Sequence, residues 1–324
     1  MDAFLIMVKN VILFAALAVP GYLLVKCKIL KQEHSAGLSK LLMYVGMPFL
    51  ILSGTVNNLT ITSELMLRLL VVAVIGIAYT FGMYFISIPI TSFEKADKTR
   101  RMMRFCAVFS NNGFLGIPLA KAVFKDLPAE IFAEIFTALI VLNIITNIMM
   151  YVLGSSLVAG EGHKISIKTV LLNPVLIAFV VGLALNLLKV KNYIPEVVTY
   201  SDYFSGIVTP VSMTILGMKL ATVKFTSLFT SIKNYYVSAL KLVVFPVVIV
   251  AMLFAAKLIP GGIINNNVIL GFFIAFAVPT AGLASTYADM YDGDADSAVK
   301  FTLGSTILSI ITIPVIYGIL NLFI

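Results

Sequence analysis

Apolar residues fill this chain in blocks of about twenty, and polar residues gather in the short gaps between them. A helix of about 20 residues crosses the roughly 30 Å hydrocarbon core of a bilayer, so each block predicts a span. The pattern gives ten, at roughly 4–25, 37–57, 66–90, 104–124, 131–157, 171–188, 203–222, 234–258, 266–289 and 299–323. Two of them carry residues that break a helix. Phe105–Leu119 holds Asn111, Asn112, Gly113, Gly116 and Pro118, and Ala277–Gly282 holds Pro279, Thr280 and Gly282. Freed backbone N–H and C=O groups cost several kcal/mol each in lipid, so such breaks persist only where protein or a polar cavity surrounds them. Spans 4 and 9 are therefore expected to be broken helices beside a cavity at membrane depth.

The two breaks stand in a register that recurs along the chain. Pro118 and Pro279 are 161 residues apart, as are Gly21 and Gly182, while Pro48 and Pro210 are 162 apart. This predicts an all-α polytopic membrane protein with ten transmembrane helices as two inverted five-helix repeats, 1–158 and 171–324, joined by a short polar linker at 159–170. Five helices per repeat invert the second copy. Small residues and prolines elsewhere, including Pro20-Gly21, Gly46 and Gly217, read as close-packing positions. Spans 2 and 7 are a candidate subunit interface.

Composition sharpens the class. Hydrophobic residues make up 60% and charged residues 12% of the 324, and the mean hydropathy is +1.05, which excludes an ordinary soluble domain. The acidic start, Met1-Asp2, reads as a retained first helix and not a cleaved signal. The net charge of +8 resides in short loops between apolar spans and points to topology and not to nucleic acid. Sixteen of the 23 Lys and Arg, including Lys95, Lys98, Arg100, Arg101 and Arg104, fall on one side. That side is expected to be cytoplasmic and both termini extracytoplasmic, in the plasma membrane. Cys27 and Cys106 would then remain reduced. Neither they nor His34 and His163 have metal-ligand spacing, so no metal site or cofactor is expected.

The candidate chemistry sits at the breaks. Half-helices that begin there present unpaired N–H donors and a positive dipole end, which suits an anion, whereas those that end there offer carbonyls. No Asp or Glu lies beside either break, which disfavours a carrier whose own substrate is a cation. Asn111 and Asn112 are candidate ligand contacts, with backbone capping as their alternative role. Asn143 and its counterpart 162 residues on, Ser305, fall at the same depth, with Thr146, Asn147, Thr306 and Ser309 nearby as helix-to-helix polar contacts. The candidate substrate-binding set is Asn111, Asn112, Gly113, Pro118, Asn143, Pro279, Thr280 and Ser305. Glu134, one turn inside span 5, is a weak candidate for ion coupling. Asp202, Lys219, Lys241 and Asp289 lie near span ends and read as snorkelling side chains. Asp289, Asp292, Asp294 and Asp296 belong to the loop before span 10. No acid pair, nucleophile with base or metal set lies at mid-membrane, so no catalytic residue is expected.

The runs Phe109-Ser-Asn-Asn-Gly-Phe-Leu-Gly-Ile-Pro-Leu119, Asn173-Pro174, Thr209-Pro-Val-Ser-Met-Thr-Ile-Leu-Gly-Met218, Pro279-Thr-Ala281 and Ser305-Thr-Ile-Leu-Ser-Ile-Ile-Thr-Ile-Pro314 resemble the auxin efflux carrier family. That family includes plant PIN-FORMED proteins and many bacterial permeases. The resemblance implies the inverted-repeat fold shared with bile-acid sodium symporters, a scaffold and a transport domain, a homodimer, and elevator-type export or exchange of organic anions. It also implies that Asn111 or Asn112 contacts the substrate carboxylate. The chain lacks the long loop that plant members carry between spans 5 and 6, and nothing in it selects an auxin over malate or malonate. A sodium- or proton-coupled carrier of the same fold and a non-transporting ligand sensor are the alternatives.

Overall fold

The computed structural model describes residues 3–58, 63–160, 168, 171–258 and 264–324, and among these the fold is all helix. Most of the expected linker, with His163, lies outside the described residues. Among the described residues six helices are long and apolar enough to cross a membrane, and Asn112–Phe124, Pro174–Leu187 and Asn266–Ala277 are shorter apolar helices. We label the elements α1 (Ala3–Ala16), α2 (Val19–Lys26), α3 (His34–Asn57), α4 (Ser63–Ile90), α5 (Asp97–Val108), α6 (Asn112–Phe124) and α7 (Ala129–Ala159). They continue with α8 (Pro174–Leu187), α9 (Glu196–Ser205), α10 (Val208–Leu220), α11 (Ile232–Lys257), α12 (Asn266–Ala277), α13 (Ala284–Met290) and α14 (Ala295–Leu320).

The predicted spans recur with shifted ends. Span 1 is interrupted at Leu17–Ala18, where Pro20 sits in the first turn of α2. Span 4 begins earlier, at Asp97, and span 7 begins at Glu196 with a turn at Gly206–Ile207 before α10. Asn173 accepts from Val175 N at 2.8 Å and caps α8, with Pro174 opening the helix. That is where Pro, which has no N–H to lose, is tolerated.

Proline also explains an irregularity that the spans did not foretell. Of the four π-helical turns among the described residues, Leu42–Gly46, Asn112–Gly116 and Leu240–Val244 close with an N–H bonded five residues back, from Met47, Ile117 and Phe245, ahead of a proline, and the fourth, Met150–Gly154, closes on Ser155 without one. In the first three the next residue is that proline, Pro48, Pro118 or Pro246. Its ring crowds the carbonyl four residues earlier, and one extra residue in the turn relieves the clash. The insertion rotates the helix before it by about 100° relative to the helix after it.

Packing falls into reciprocal pairs. α2 lies on α10, where a Cβ on Gly21 would overlap the Thr214 carbonyl and one on Gly217 the Ala18 carbonyl. α8 lies on α3, where Gly182 faces Thr55. α7 packs on α4 and α12, α11 on α12, and α14 on α1 and on the α13 segment. One apolar core, including Phe105, Phe109, Phe136, Phe272 and Phe273, runs through both groups and takes in Ile51 of α3, Val175 of α8 and Met213 of α10.

Candidate functional site

Spans 4 and 9 are both broken, and the breaks meet. α5 ends at Val108 and α6 begins at Asn112, while α12 ends at Ala277 and α13 begins at Ala284. Asn111 N donates to Pro279 O at 2.8 Å, Ala281 N donates to Phe109 O at 2.9 Å, and Ser110 and Thr280 face each other as an antiparallel pair. Each interruption supplies the backbone partners that the other has lost, which removes the cost of breaking two helices in an apolar setting. The chain leaves the helix at Phe109–Asn111, and Pro118 stands inside α6, where it sets the π-turn.

A cavity of about 30 Å³ opens beside the crossing, lined by Ser110, Asn111, Asn112, Gly113, Phe114, Asn143 and Asn147, by Ala281, Gly282 and Leu283, and by Met43, Met47, Met150 and Val175. That volume holds one or two water molecules. Of the sequence candidates, Asn111, Asn112, Gly113 and Asn143 stand in its wall, whereas Pro118, Pro279, Thr280 and Ser305 do not. Thr280 and Ser305 serve the crossing itself. Thr280 N donates to Ser305 Oγ at 3.2 Å, and Thr280 Oγ1 donates to Cys106 O at 2.8 Å.

The two asparagines play different parts. Thr146 Oγ1 donates to Leu142 O, so it must accept from Asn112 Nδ2, at 2.8 Å. This leaves Asn112 Oδ1 to accept from Asn143 Nδ2, also at 2.8 Å. The chain of bonds ends at Asn143 Oδ1, which is buried without a partner among the described residues. Asn112 thus ties α6 to α7. Asn111, 9% exposed, makes no side-chain cap for α6, and its amide faces the cavity with no hydrogen bond to another described residue.

Behind the crossing lies a residue read as snorkelling from the sequence. Lys241 is fully buried, and its Nζ donates to Ser110 Oγ. The hydroxyl proton of Ser110 then remains to be donated elsewhere, and Ser110 lines the cavity. Lys219 corrects the same reading. It is 7% exposed and donates to Ser285 Oγ at 2.6 Å and to Gly282 O at 3.4 Å. Each break therefore carries one buried lysine whose polar partners are hydroxyl and carbonyl oxygens. The only sequence signal for Lys241 is Pro246, five residues on, whose π-turn turns Lys241 inward. Asp202 is exposed as expected and accepts from Ser53 Oγ at 2.5 Å.

Glu134 lies away from the crossing. It pairs with Arg68 and accepts from Asn265 Nδ2 at 2.7 Å and Asn267 Nδ2 at 2.6 Å, which clasps α7 to α4 and to the start of α12. Asp294 caps α14 through Ser297 N at 3.0 Å and accepts from Thr99 Oγ1 at 2.6 Å, and Asp292 pairs with Lys98 at 2.7 Å. Burial pushes the Asp294 carboxyl up, but the bonds from Ser297 and Thr99 outweigh it and hold it below the usual range. The Lys233 ammonium and the Ala96 N–H likewise hold Glu94 low.

Comparison with known sequences gives a consistent picture. The profile of a family described as membrane transport protein matches residues 5–317. An uncharacterized transporter of Methanothermobacter thermautotrophicus is 26% identical over 319 residues, 94% of this chain and 96% of that one. Another, from Methanocaldococcus jannaschii, is 26% identical over 220 residues, 65% of this chain and 68% of that protein.

Proposed function

Because the chain belongs to the membrane transport protein family, the auxin efflux carrier family whose motifs it shares, we propose that it carries a small organic anion through the crossing of its broken helices. It is a transporter and not an enzyme. The observation that carries the reading is Lys241, a fully buried lysine whose Nζ donates to the Ser110 hydroxyl at the crossing. A lone charge is costly at membrane depth and marks function there by default. A substrate carboxylate in the cavity would take hydrogen bonds from Ser110 Oγ and Asn111 Nδ2 and would offset the lysine's charge. Asn143 Oδ1 would hold a water or a protonated group of the same substrate.

In this proposal Lys241 is protonated when substrate is bound and stands where a coupling ion would otherwise be needed, which favours sodium-independent transport over sodium symport. The cavity has room for water only, so loading must displace Met43, Met47 or Met150, which are flexible and adaptable side chains. The reciprocal packing of α2 on α10 and of α8 on α3 supports two inverted repeats. It also supports a scaffold of α2, α3 and α8–α10, past which the crossing moves as an elevator. A homodimer through the scaffold, a cytoplasmic face at the lysine-rich loops and a plasma-membrane location complete the proposal.

The test is counterflow in proteoliposomes preloaded with mono- and dicarboxylates. Wild type should exchange at least one of them, and Asn111→Ala should lose that exchange while remaining monodisperse. Full exchange in Asn111→Ala, or silence of the wild type across the panel, would overturn the reading, and silence would favour the ligand sensor.

A further inference from the structure

A second cavity, of about 530 Å³, lies on the lysine-rich side between the start of α3, the end of α10, α13 and the start of α14. Unlike the cavity at the crossing, it has the volume of a small-molecule site. Lys219 forms its floor. The donors of its ammonium are shared between Ser285 Oγ and Gly282 O, and the third points to neither. Ser285, having accepted from Lys219, has its hydroxyl proton to give. Ser35 and Ser39 add hydroxyl groups to the walls, although Ser39 Oγ is committed to Ser35 O at 2.8 Å. Charges at the mouth nearly balance. Lys300 pairs with Asp296 at 2.5 Å, and Lys224 and Asp289 are both exposed.

Two features give this cavity a direction. Its one deeply buried charge is a cation at the floor, while its carboxylates stand at the rim, so an anion gains most by going down. Gly282, whose carbonyl accepts from Lys219, lines the cavity at the crossing, so a side chain in the wall of this cavity bonds to the wall of the other. We propose that this cavity is a second carboxylate site, in which Lys219 and Ser285 bind a small organic anion one step before it reaches Ser110 and Asn111. The assignment of an anionic substrate rests on the function proposed above, but occupancy of this site does not require transport to occur.

Thr286 lines the cavity and is half-buried, which makes it a reporter. In a Cys27→Ser background, Thr286→Cys in the full chain is modified with an anionic thiosulfonate in the presence of acetate, malonate or benzoate, against chloride at equal ionic strength. At least one carboxylate should slow modification several-fold. The protection should survive Asn111→Ala, which disables the crossing, disappear in Lys219→Met and return in Lys219→Arg. Modification as fast in all three carboxylates as in chloride would overturn the proposal, as would protection that persists in Lys219→Met. Loss of protection in Asn111→Ala would assign it to the crossing alone. Protection without counterflow would leave this site standing and remove the transport reading.

Discussion

Replacing Lys241 by Met keeps a side chain of similar length, removes the charge, and should move stability and function in opposite directions. A lysine at the centre of a membrane helix costs about 2.5–3.5 kcal/mol on insertion scales. Its hydrogen bond to Ser110 returns about 1 kcal/mol, so the methionine variant should be more stable by about 2 kcal/mol. The effect on binding is larger. Two hydrogen bonds in series, from Nζ to Ser110 Oγ and on to a carboxylate, place the charges roughly 5.5 Å apart, which at an effective dielectric of about 20 is about 3 kcal/mol. Affinity should fall about 150-fold. The assay pairs a thermal melt of the purified protein with carboxylate counterflow. A midpoint raised by a few degrees with counterflow lost is the expected result. A lowered midpoint with counterflow intact would make Lys241 a structural post with no part in binding.

The neighbouring asparagines should separate in the same assays. Asn111→Ala removes an amide with no described partner and should lower affinity at unchanged stability, whereas Asn112→Ala strands Thr146 and Asn143 and should cost about 1–3 kcal/mol in the melt. Gly217→Ala drives a Cβ into the Ala18 carbonyl and should abolish a monodisperse peak on size exclusion, while Gly37→Ala, with nothing within 4 Å, should be neutral or stabilising by up to about 1 kcal/mol. Acid should loosen the loops. Glu94 and Asp294 titrate lower folded than the roughly 3.9–4.3 of free carboxylates, so their stabilisation is complete above that range and is lost as pH falls through the folded values. A melting midpoint followed from pH 7 to 3 should drop at the acid end, and Glu94→Gln with Asp294→Asn should flatten the drop.

The broken helices were legible because amides, glycines and prolines are costly in an apolar run, and those residues do lie at the crossing. Their roles were less legible. Pro118 marks the break in sequence, but its structural effect is a π-turn several residues after the break. Asn111 and Asn112 are chemically identical neighbours, and only the partners on α7 show that Asn112 is bound internally while Asn111 faces the cavity. Thr280 and Ser305 have the depth expected of ligand contacts, yet each is consumed by backbone and hydroxyl bonds of the crossing itself. Lys219 and Lys241 were misread for a physical reason. Distance from a span end fixes how far a lysine must reach for water but not which way its helix faces, and at Lys241 the π-turn changes the facing.

In the proposed cycle the crossing moves an anion against a positive charge on Lys241, with no cation from solution. If so, the loaded site crosses neutral and the empty site returns positive, and each cycle moves net charge. The most direct test is the current in proteoliposomes on a jump from chloride to a transported carboxylate in sodium-free buffer. A sodium-independent current that vanishes in Lys241→Met is the result expected. A current that requires sodium, or one that persists undiminished in Lys241→Met, would contradict this cycle.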